Sequence, residues 1–211
     1  MVCGYLHVFG VFIEPHAIAR YICIMTAFRV VSFNVLANSY CSTSRYKYAN
    51  PNVLEVTYRQ QLLLKELQHL DADIIALQEV DFYMCRRRGD GGGDGNGDGD
   101  GDDILVRAGL RQQLHQRGYE SHFLKRTGKK KDGLVTAWKK SVFQIDHPHP
   151  HPIEEVKFDD LASDATLLGL PISALAAVGS RFRRHHVGLI IRLRHLETNK
   201  IVLAANTRAS F

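Results

Sequence analysis

The chain has 211 residues, of which 45% are hydrophobic and 23% charged, a composition ordinary for one globular domain. Six of its 22 acidic side chains lie in residues 89–103, a stretch without lysine or arginine. The remaining 16 acidic side chains face 27 basic ones, so the rest of the chain carries a net charge of +11. This charge favours phosphate-rich partners such as nucleic acid, although it is equally consistent with solubility alone.

Four scattered cysteines argue against both a disulfide framework and a zinc site, because none of them forms a CxxC pair. A reducing compartment follows as the default. We expect the cytoplasm, with the nucleus or mitochondrion as alternatives. There is no run of about 18 apolar residues, so we expect no membrane-spanning helix and no membrane partner.

The first strong strand pattern, Phe28–Asn34, begins after Met25, so residues 1–25 are expected to form an extension outside the fold. A helical pattern over Val53–Leu70 follows, and the apolar strand pattern Ile74–Gln78 comes directly after it. This order predicts a βαβ unit with two parallel neighbouring strands in a domain over residues 26–211.

Glycine and aspartate alternate in the next segment, which predicts a disordered insertion over residues 86–103. Asp94, Asn96 and Asp98 match the opening of an EF-hand loop, but Leu105 stands where the closing glutamate is needed. The missing bidentate ligand argues against specific calcium binding.

The sequence after this insertion predicts one more helix, which ends near Gly118, and then a mainly β structure. His147–Pro152 alternates histidine with proline, which favours an extended polyproline II spacer with separated rings over a metal site. The other predicted elements are a helix over Ile104–Gln116, a partly helical stretch over Asp164–Val178, and strands over Tyr119–Leu124, Leu134–Trp138, Val142–Ile145, Val187–Leu193 and Ile201–Asn206.

Two polar side chains stand where neighbouring strands end, Asn34 on the first and Glu79 directly after the second. The carboxyl edge of such a sheet is where open α/β folds bind ligands. Mg²⁺ takes oxygen ligands, usually with only one or two carboxylates. Taken singly, each residue is better explained as an ordinary polar strand end, and only their combination indicates a hard-cation site.

The amino-acid sequence around these residues resembles that of the deadenylase-type branch of the endonuclease/exonuclease/phosphatase superfamily. The similarity runs in the same order from residue 28 to residue 207. Its segments lie at residues 31–37, 58–67, 72–81, 126–139, 187–190 and 204–207. The resemblance implies an α/β fold, the deoxyribonuclease I-like two-sheet αββα sandwich, with its C-terminal portion missing here. It also implies Mg²⁺-dependent (or Mn²⁺-dependent) hydrolysis of RNA phosphodiesters, with 3′ poly(A) or oligoadenylate as substrate.

The resemblance assigns roles to particular residues. Glu79 is the expected main metal ligand and catalytic residue, and Asn34 is expected to help hold the metal or the scissile phosphate. Substrate-binding positions are expected at Lys131, Asp132, His186 and Asn206.

Two positions depart from the family pattern. Arg208 occupies a position where the family has a catalytic histidine. Arginine can donate to phosphate but cannot exchange a proton near neutral pH. His186 stands where the family has asparagine.

The chain also ends before the family's later Asp-Asn and Asp-His motifs. We therefore expect an incomplete enzyme, weak or inactive alone. One alternative is an inactive module that binds RNA or protein. Another is a phosphatase of the same fold acting on a small molecule or lipid headgroup.

Overall fold

The computed structural model describes residues 5–7, 27–85, 109–158 and 185–208, which contain two β-sheets and two α-helices. Sheet A has the spatial order β1-β2-β3-β5-β4, with β1 Tyr5–His7, β2 Val30–Asn34, β3 Ile74–Asp81, β4 Tyr119–Lys125 and β5 Asp132–Lys139. Sheet B contains β6 Phe143–Ile145, β7 Ile153–Lys157, β8 Val187–His195 and β9 Ile201–Arg208. The helices are α1 Val56–Leu70 and α2 Leu110–Gln116.

The predicted βαβ unit is confirmed, because β2 and β3 pair in parallel with Val30 opposite Ile74 and Asn34 opposite Gln78. Helix α1 makes the crossover and ends at Asp71, which takes a left-handed conformation with φ of 42°. The parallel pairing brings the carboxyl ends of both strands to one edge of sheet A.

Two apolar layers hold the fold together on either side of sheet A. On one side, Leu63 and Leu67 of α1 and Leu114 of α2 pack against β3 residues such as Ile75. On the other side, Trp138 of sheet A packs with sheet B strand β8, whose Leu189, Ile191 and Leu193 are also buried. The described residues therefore form a helix layer and two packed sheets, which is the predicted α/β sandwich.

Sheet B differs from the sequence expectation between β6 and β7. Both strands pair with β8, β6 opposite residues 193–195 and β7 opposite residues 187–191, while β9 takes the other edge. The polyproline II prediction for His147–Pro152 is wrong: the segment begins with a turn, in which the His149 backbone N–H donates to the Asp146 carbonyl over 3.0 Å. The turn connects β6 to β7, and both strands pair with the same edge of β8.

Several element boundaries also differ. The first strand begins at Val30, and a short 3₁₀ turn over Pro51–Leu54 precedes α1. Strand β7, Ile153–Lys157, was not among the predicted elements. Tyr5–His7 pairs antiparallel with β2, although it lies within the expected extension, and the boundary at residue 25 stays a prediction. The Gly/Asp insertion, residues 104–108 and the stretch Asp164–Val178 lie outside the described residues. No helix in the described part is long and apolar enough to cross a membrane.

Asp146 provides a pH-dependent contribution to the stability of sheet B. Arg192 Nε donates to its carboxylate over 2.6 Å and Arg194 Nη2 over 2.5 Å. The hydrogen bond from Arg192, supported by the one from Arg194, lowers the pKa of Asp146 below the usual carboxyl value. A lowered folded pKa contributes stability above the unfolded pKa of about 4, and this is lost as pH falls through the folded value.

We therefore expect Asp146→Asn to be less stable than the wild type at pH 7 and to lose less stability on acidification. Urea denaturation midpoints between about pH 3 and pH 7 measure both effects. Glu197→Gln, at an exposed position of the β8–β9 turn, is the control carboxylate. Parallel stability curves for the wild type and Asp146→Asn would contradict the assignment.

Candidate functional site

Glu79 lies at a β-bulge in the middle of sheet A. The pairing of β3 with β5 runs from Ile74 opposite Trp138 to Gln78 opposite Leu134, and then resumes with Val80 opposite Gly133. Glu79 is the extra residue, and its φ of 55° lies in the left-handed region that a non-glycine residue rarely adopts. Such a conformation costs free energy and is often found at functional sites.

The bulge decides which way the Glu79 side chain faces. Leu77 and Val80 both pack into the helix-side core, whereas Gln78 donates to Asn206 of sheet B over 2.9 Å. In a regular strand, residue 79 would face the helices and residue 80 would face sheet B, because side chains alternate. The extra residue keeps Val80 in the core and leaves Glu79 free to point toward sheet B.

The ends of β2 and β9 meet the bulge of β3 at the Glu79 carboxylate, and β3 continues past Glu79 to Asp81 instead of ending before it as expected. Asn34, at the end of β2, donates its Nδ2–H to Glu79 Oε1 over 3.0 Å. Arg208, at the end of β9, donates from Nη2 to the same oxygen over 2.5 Å. Glu79 is only 5% exposed, so this is a nearly buried ion pair. The structure thus brings together all three residues expected to be catalytic, while their catalytic roles stay predictions.

Asn34 is held in place by a local turn. Its Oδ1 accepts the backbone N–H of Leu36 over 2.9 Å, and Leu36 has a φ of 55°. Arg59 of α1 donates to the carbonyl oxygens of Val35 and Leu36, which anchors the turn to the crossover helix. The amide nitrogen of Asn34 is thereby directed at Glu79.

A second polar cluster lies beside the bulge, around Asp132. This aspartate is completely buried and accepts hydrogen bonds from Tyr40 Oη over 3.0 Å and from Arg126 Nη1 over 3.3 Å. Asp81 lies opposite Asp132 in the β3–β5 ladder and accepts the backbone N–H of Asn38 over 2.8 Å. Burial, followed by the hydrogen bond to Asp132, raises the pKa of Tyr40, so its hydroxyl remains a donor at neutral pH.

Sequence reasoning missed Tyr40, Asp81 and Arg126. Asp81 and Arg126 lie within segments that carry the family resemblance, which was the available signal for them. Tyr40 lies in a tyrosine-rich loop, 92 residues before its partner Asp132. Nothing in that loop distinguishes it from Tyr46 or Tyr48.

The four residues expected to bind substrate have different surroundings. Asn206 is 3% exposed, and its Nδ2 donates to the carbonyls of Leu77 and Val135 in sheet A, so it ties the two sheets together. His186 is buried, with Nδ1 3.1 Å from the Arg208 carbonyl oxygen. The described contacts of Asn206, His186 and Asp132 are thus within the protein, whereas Lys131 is exposed. Their substrate-binding roles stay predictions.

The donor set tests whether a divalent ion fits this arrangement. The oxygens of Glu79 and Asn34 suit Mg²⁺ chemically. However, Glu79 Oε1 already accepts two N–H donors, and one of them is a cationic guanidinium. Across the described ranges, no group of three or more His, Cys, Asp or Glu side chains is arranged to hold a metal ion. With Arg208 on Glu79, the residues do not fit the ion.

Known proteins share this fold and sequence pattern. A solved structure of ANGEL2, described as a 2′,3′-cyclic phosphatase, is similar with a TM-score of 0.60 at 24% identity, over 86% of this chain and 40% of that one. A structure of the human nocturnin catalytic domain gives a TM-score of 0.51 at 17% identity, over 86% of this chain and 49% of that one. These likenesses confirm the predicted deoxyribonuclease I-like fold.

The mouse 2′,5′-phosphodiesterase 12 is 31% identical over 184 residues, which are 85% of this chain and 26% of that protein. The chain thus spans about a quarter of the length of this relative. The profile of the Endonuclease/Exonuclease/phosphatase family matches residues 31–195. With three-quarters of its sequence inside that match, the chain belongs to the endonuclease/exonuclease/phosphatase family.

Proposed function

We propose that this chain is the N-terminal part of an RNA phosphodiesterase that acts on 3′ adenylate ends, with Glu79 at its catalytic centre. The observation that carries the proposal is the bulge, which keeps a buried carboxylate in a left-handed conformation where β2, β3 and β9 converge. A strained, buried carboxylate gives the sheet little stability that a regular strand would not also give. A catalytic role is therefore its best explanation.

The proposal gives each residue a limited task. Arg208 and Asn34 present N–H donors that can bind phosphate oxygens, and guanidinium suits phosphate especially well. The requirement for Mg²⁺ or Mn²⁺ is also part of the proposal and is supported by the family resemblance. No step here depends on that ion, since the present arrangement does not fit it.

Two aromatic rings near the bulge, Tyr40 and Phe82, each lie close to cationic side chains, which favours a single-stranded nucleic acid as the partner. The Tyr40 ring lies 6.0 Å from the Arg45 guanidinium and 6.0 Å from Lys130 Nζ. Lys125 Nζ lies 5.3 Å from the centre of the Phe82 ring, which is 37% exposed. Stacked bases and phosphates bind to such combinations of rings and cations.

We expect Phe82→Ala to weaken the binding of a 5′-fluorescein oligoadenylate by about 1 to 3 kcal/mol, the usual range for one base–aromatic contact. Lys125→Ala should lower the slope of the logarithm of affinity against the logarithm of salt concentration by about one, because one phosphate contact is lost. Fluorescence anisotropy at several salt concentrations measures both. Leu196→Ala and Lys200→Ala, both exposed in the β8–β9 turn, are the matched controls and should bind as the wild type does. Equal losses in all four variants would contradict the binding role of Phe82 and Lys125.

The catalytic part is tested by cleavage of a 3′-oligoadenylated RNA with Mg²⁺ or Mn²⁺, by the wild type and by Glu79→Gln. The proposal predicts a slow release of AMP that falls at least about 100-fold in Glu79→Gln. Preferential release of phosphate from small phosphomonoesters would instead favour the phosphatase alternative. Salt-dependent RNA binding without any cleavage would favour the binding-module alternative, which the Arg208–Glu79 pair also supports.

A further inference from the structure

We propose that the Arg208 guanidinium takes the place of a divalent cation on Glu79 and holds the site closed to metal ions. This inference concerns the charge arrangement of the site and bears on the proposed function in one respect: any Mg²⁺-dependent or Mn²⁺-dependent cleavage by the wild type must be slow, because the ion has to displace Arg208 first. It begins with the 2.5 Å contact between Arg208 Nη2 and Glu79 Oε1, made by side chains that are 18% and 7% exposed.

Two of the three carboxylates around the bulge are already paired with a guanidinium group, without a metal. Glu79 is paired with Arg208, and the neighbouring buried carboxylate of Asp132 is paired with Arg126. Asp81 accepts a backbone N–H from Asn38. A divalent ion reaching Glu79 would therefore meet a positive group already bound to the same carboxylate. Displacing that group would break a nearly buried ion pair, which is costly.

The backbone of Arg208 is held by the pairing of β9 with β8. Arg208 lies opposite Val187 in the β8–β9 ladder, and its carbonyl oxygen lies 3.1 Å from His186 Nδ1. The preceding Thr207 donates its hydroxyl to the Val187 carbonyl over 3.3 Å. The strand pairing thus presents the side chain to Glu79.

The asparagine contact reinforces the same arrangement. Asn34 donates its Nδ2–H to the oxygen that Arg208 occupies, while its own Oδ1 accepts from the Leu36 N–H. To offer an oxygen to a metal, the amide would have to rotate and lose both contacts. A neutral side chain at position 208 would remove the repulsion between Arg208 and an incoming metal ion. Only the rotation of the Asn34 amide would then be needed for metal binding.

The test is a titration of the purified chain with Mn²⁺ alone, in which the free ion is followed by its electron paramagnetic resonance signal. We expect weak binding by the wild type. In Arg208→Gln and Arg208→Met, which remove the charge, we expect binding at least about tenfold tighter, equal to about 1.4 kcal/mol. Arg208→Lys keeps the charge and should bind as weakly as the wild type. Glu79→Gln combined with Arg208→Gln should lose the gain.

Two results would overturn the proposal. One is a folded Arg208→Gln or Arg208→Met protein, judged by its circular dichroism and urea midpoint, that binds Mn²⁺ no more tightly than the wild type. The other is a result for the wild type, so it does not depend on whether a variant at position 208 folds. It is tight Mn²⁺ binding, with a Kd below about 10 μM, that Glu79→Gln abolishes. Because the readout is metal binding, failure of the proposed RNA hydrolysis does not affect either result.

Discussion

Replacing Asp132 with alanine is expected to lower the free energy of unfolding by about 3 to 5 kcal/mol, the range seen when one partner of a buried ion pair is removed. Asp132 is 0% exposed, and its carboxylate is the counter-charge of the buried Arg126 guanidinium. The substitution also removes the acceptor of the Tyr40 hydroxyl. A loss of this size is a large fraction of the stability of an ordinary domain.

Urea denaturation measures the effect, with Lys131→Ala as the control because that neighbouring side chain is exposed. The double variant Asp132→Ala with Arg126→Met should recover part of the loss, since it removes both charges. A loss below about 1 kcal/mol in Asp132→Ala would show that the cluster does not stabilise the domain. A role of Asp132 in substrate binding would then be the better explanation for its presence.

Asn206→Ala is expected to cost about 2 to 4 kcal/mol, because buried acceptors in sheet A lose a donor and each such loss typically costs about 1 to 3 kcal/mol. The Asn206 amide donates to the carbonyls of Leu77 and Val135 and accepts from Gln78. These contacts cross from sheet B to sheet A. Their loss should therefore weaken the packing of the two sheets.

The same urea experiment compares Asn206→Ala with Thr207→Ala, at the exposed position next to it on β9. Thr207→Ala removes a single hydroxyl contact and should cost clearly less. If Asn206 served substrate alone, Asn206→Ala would keep the wild-type stability and lose only RNA affinity. That result would contradict the tie between the sheets and support the role expected from the family resemblance.

The sequence was informative where structure follows local periodicity. The helical pattern over Val53–Leu70 and the apolar run after it predicted the βαβ unit, and therefore the meeting of Asn34 with Glu79. A parallel pair places both strand ends together by geometry, so no knowledge of distant contacts was needed.

Features that depend on long-range contacts or on a single inserted residue were not predictable. The bulge has no local signal, because a glutamate rather than a glycine takes the positive φ. The turn after β6 was not predicted because a hydrogen bond from His149 to the Asp146 carbonyl overrides the extended preference of proline. Strand β7 was missed because its exposed glutamates interrupt the apolar pattern.

The bulge has a further consequence for how this chain can change. Without Glu79, the sequence from Ile75 through Leu77 and Gln78 to Val80 would alternate perfectly between the helix side and the sheet B side. The residue proposed to carry the chemistry is thus the one residue that the strand does not need. Deleting that single residue would restore a regular strand with its core pattern intact, and the cost of the deletion would fall on Arg208, which would lose its ion pair.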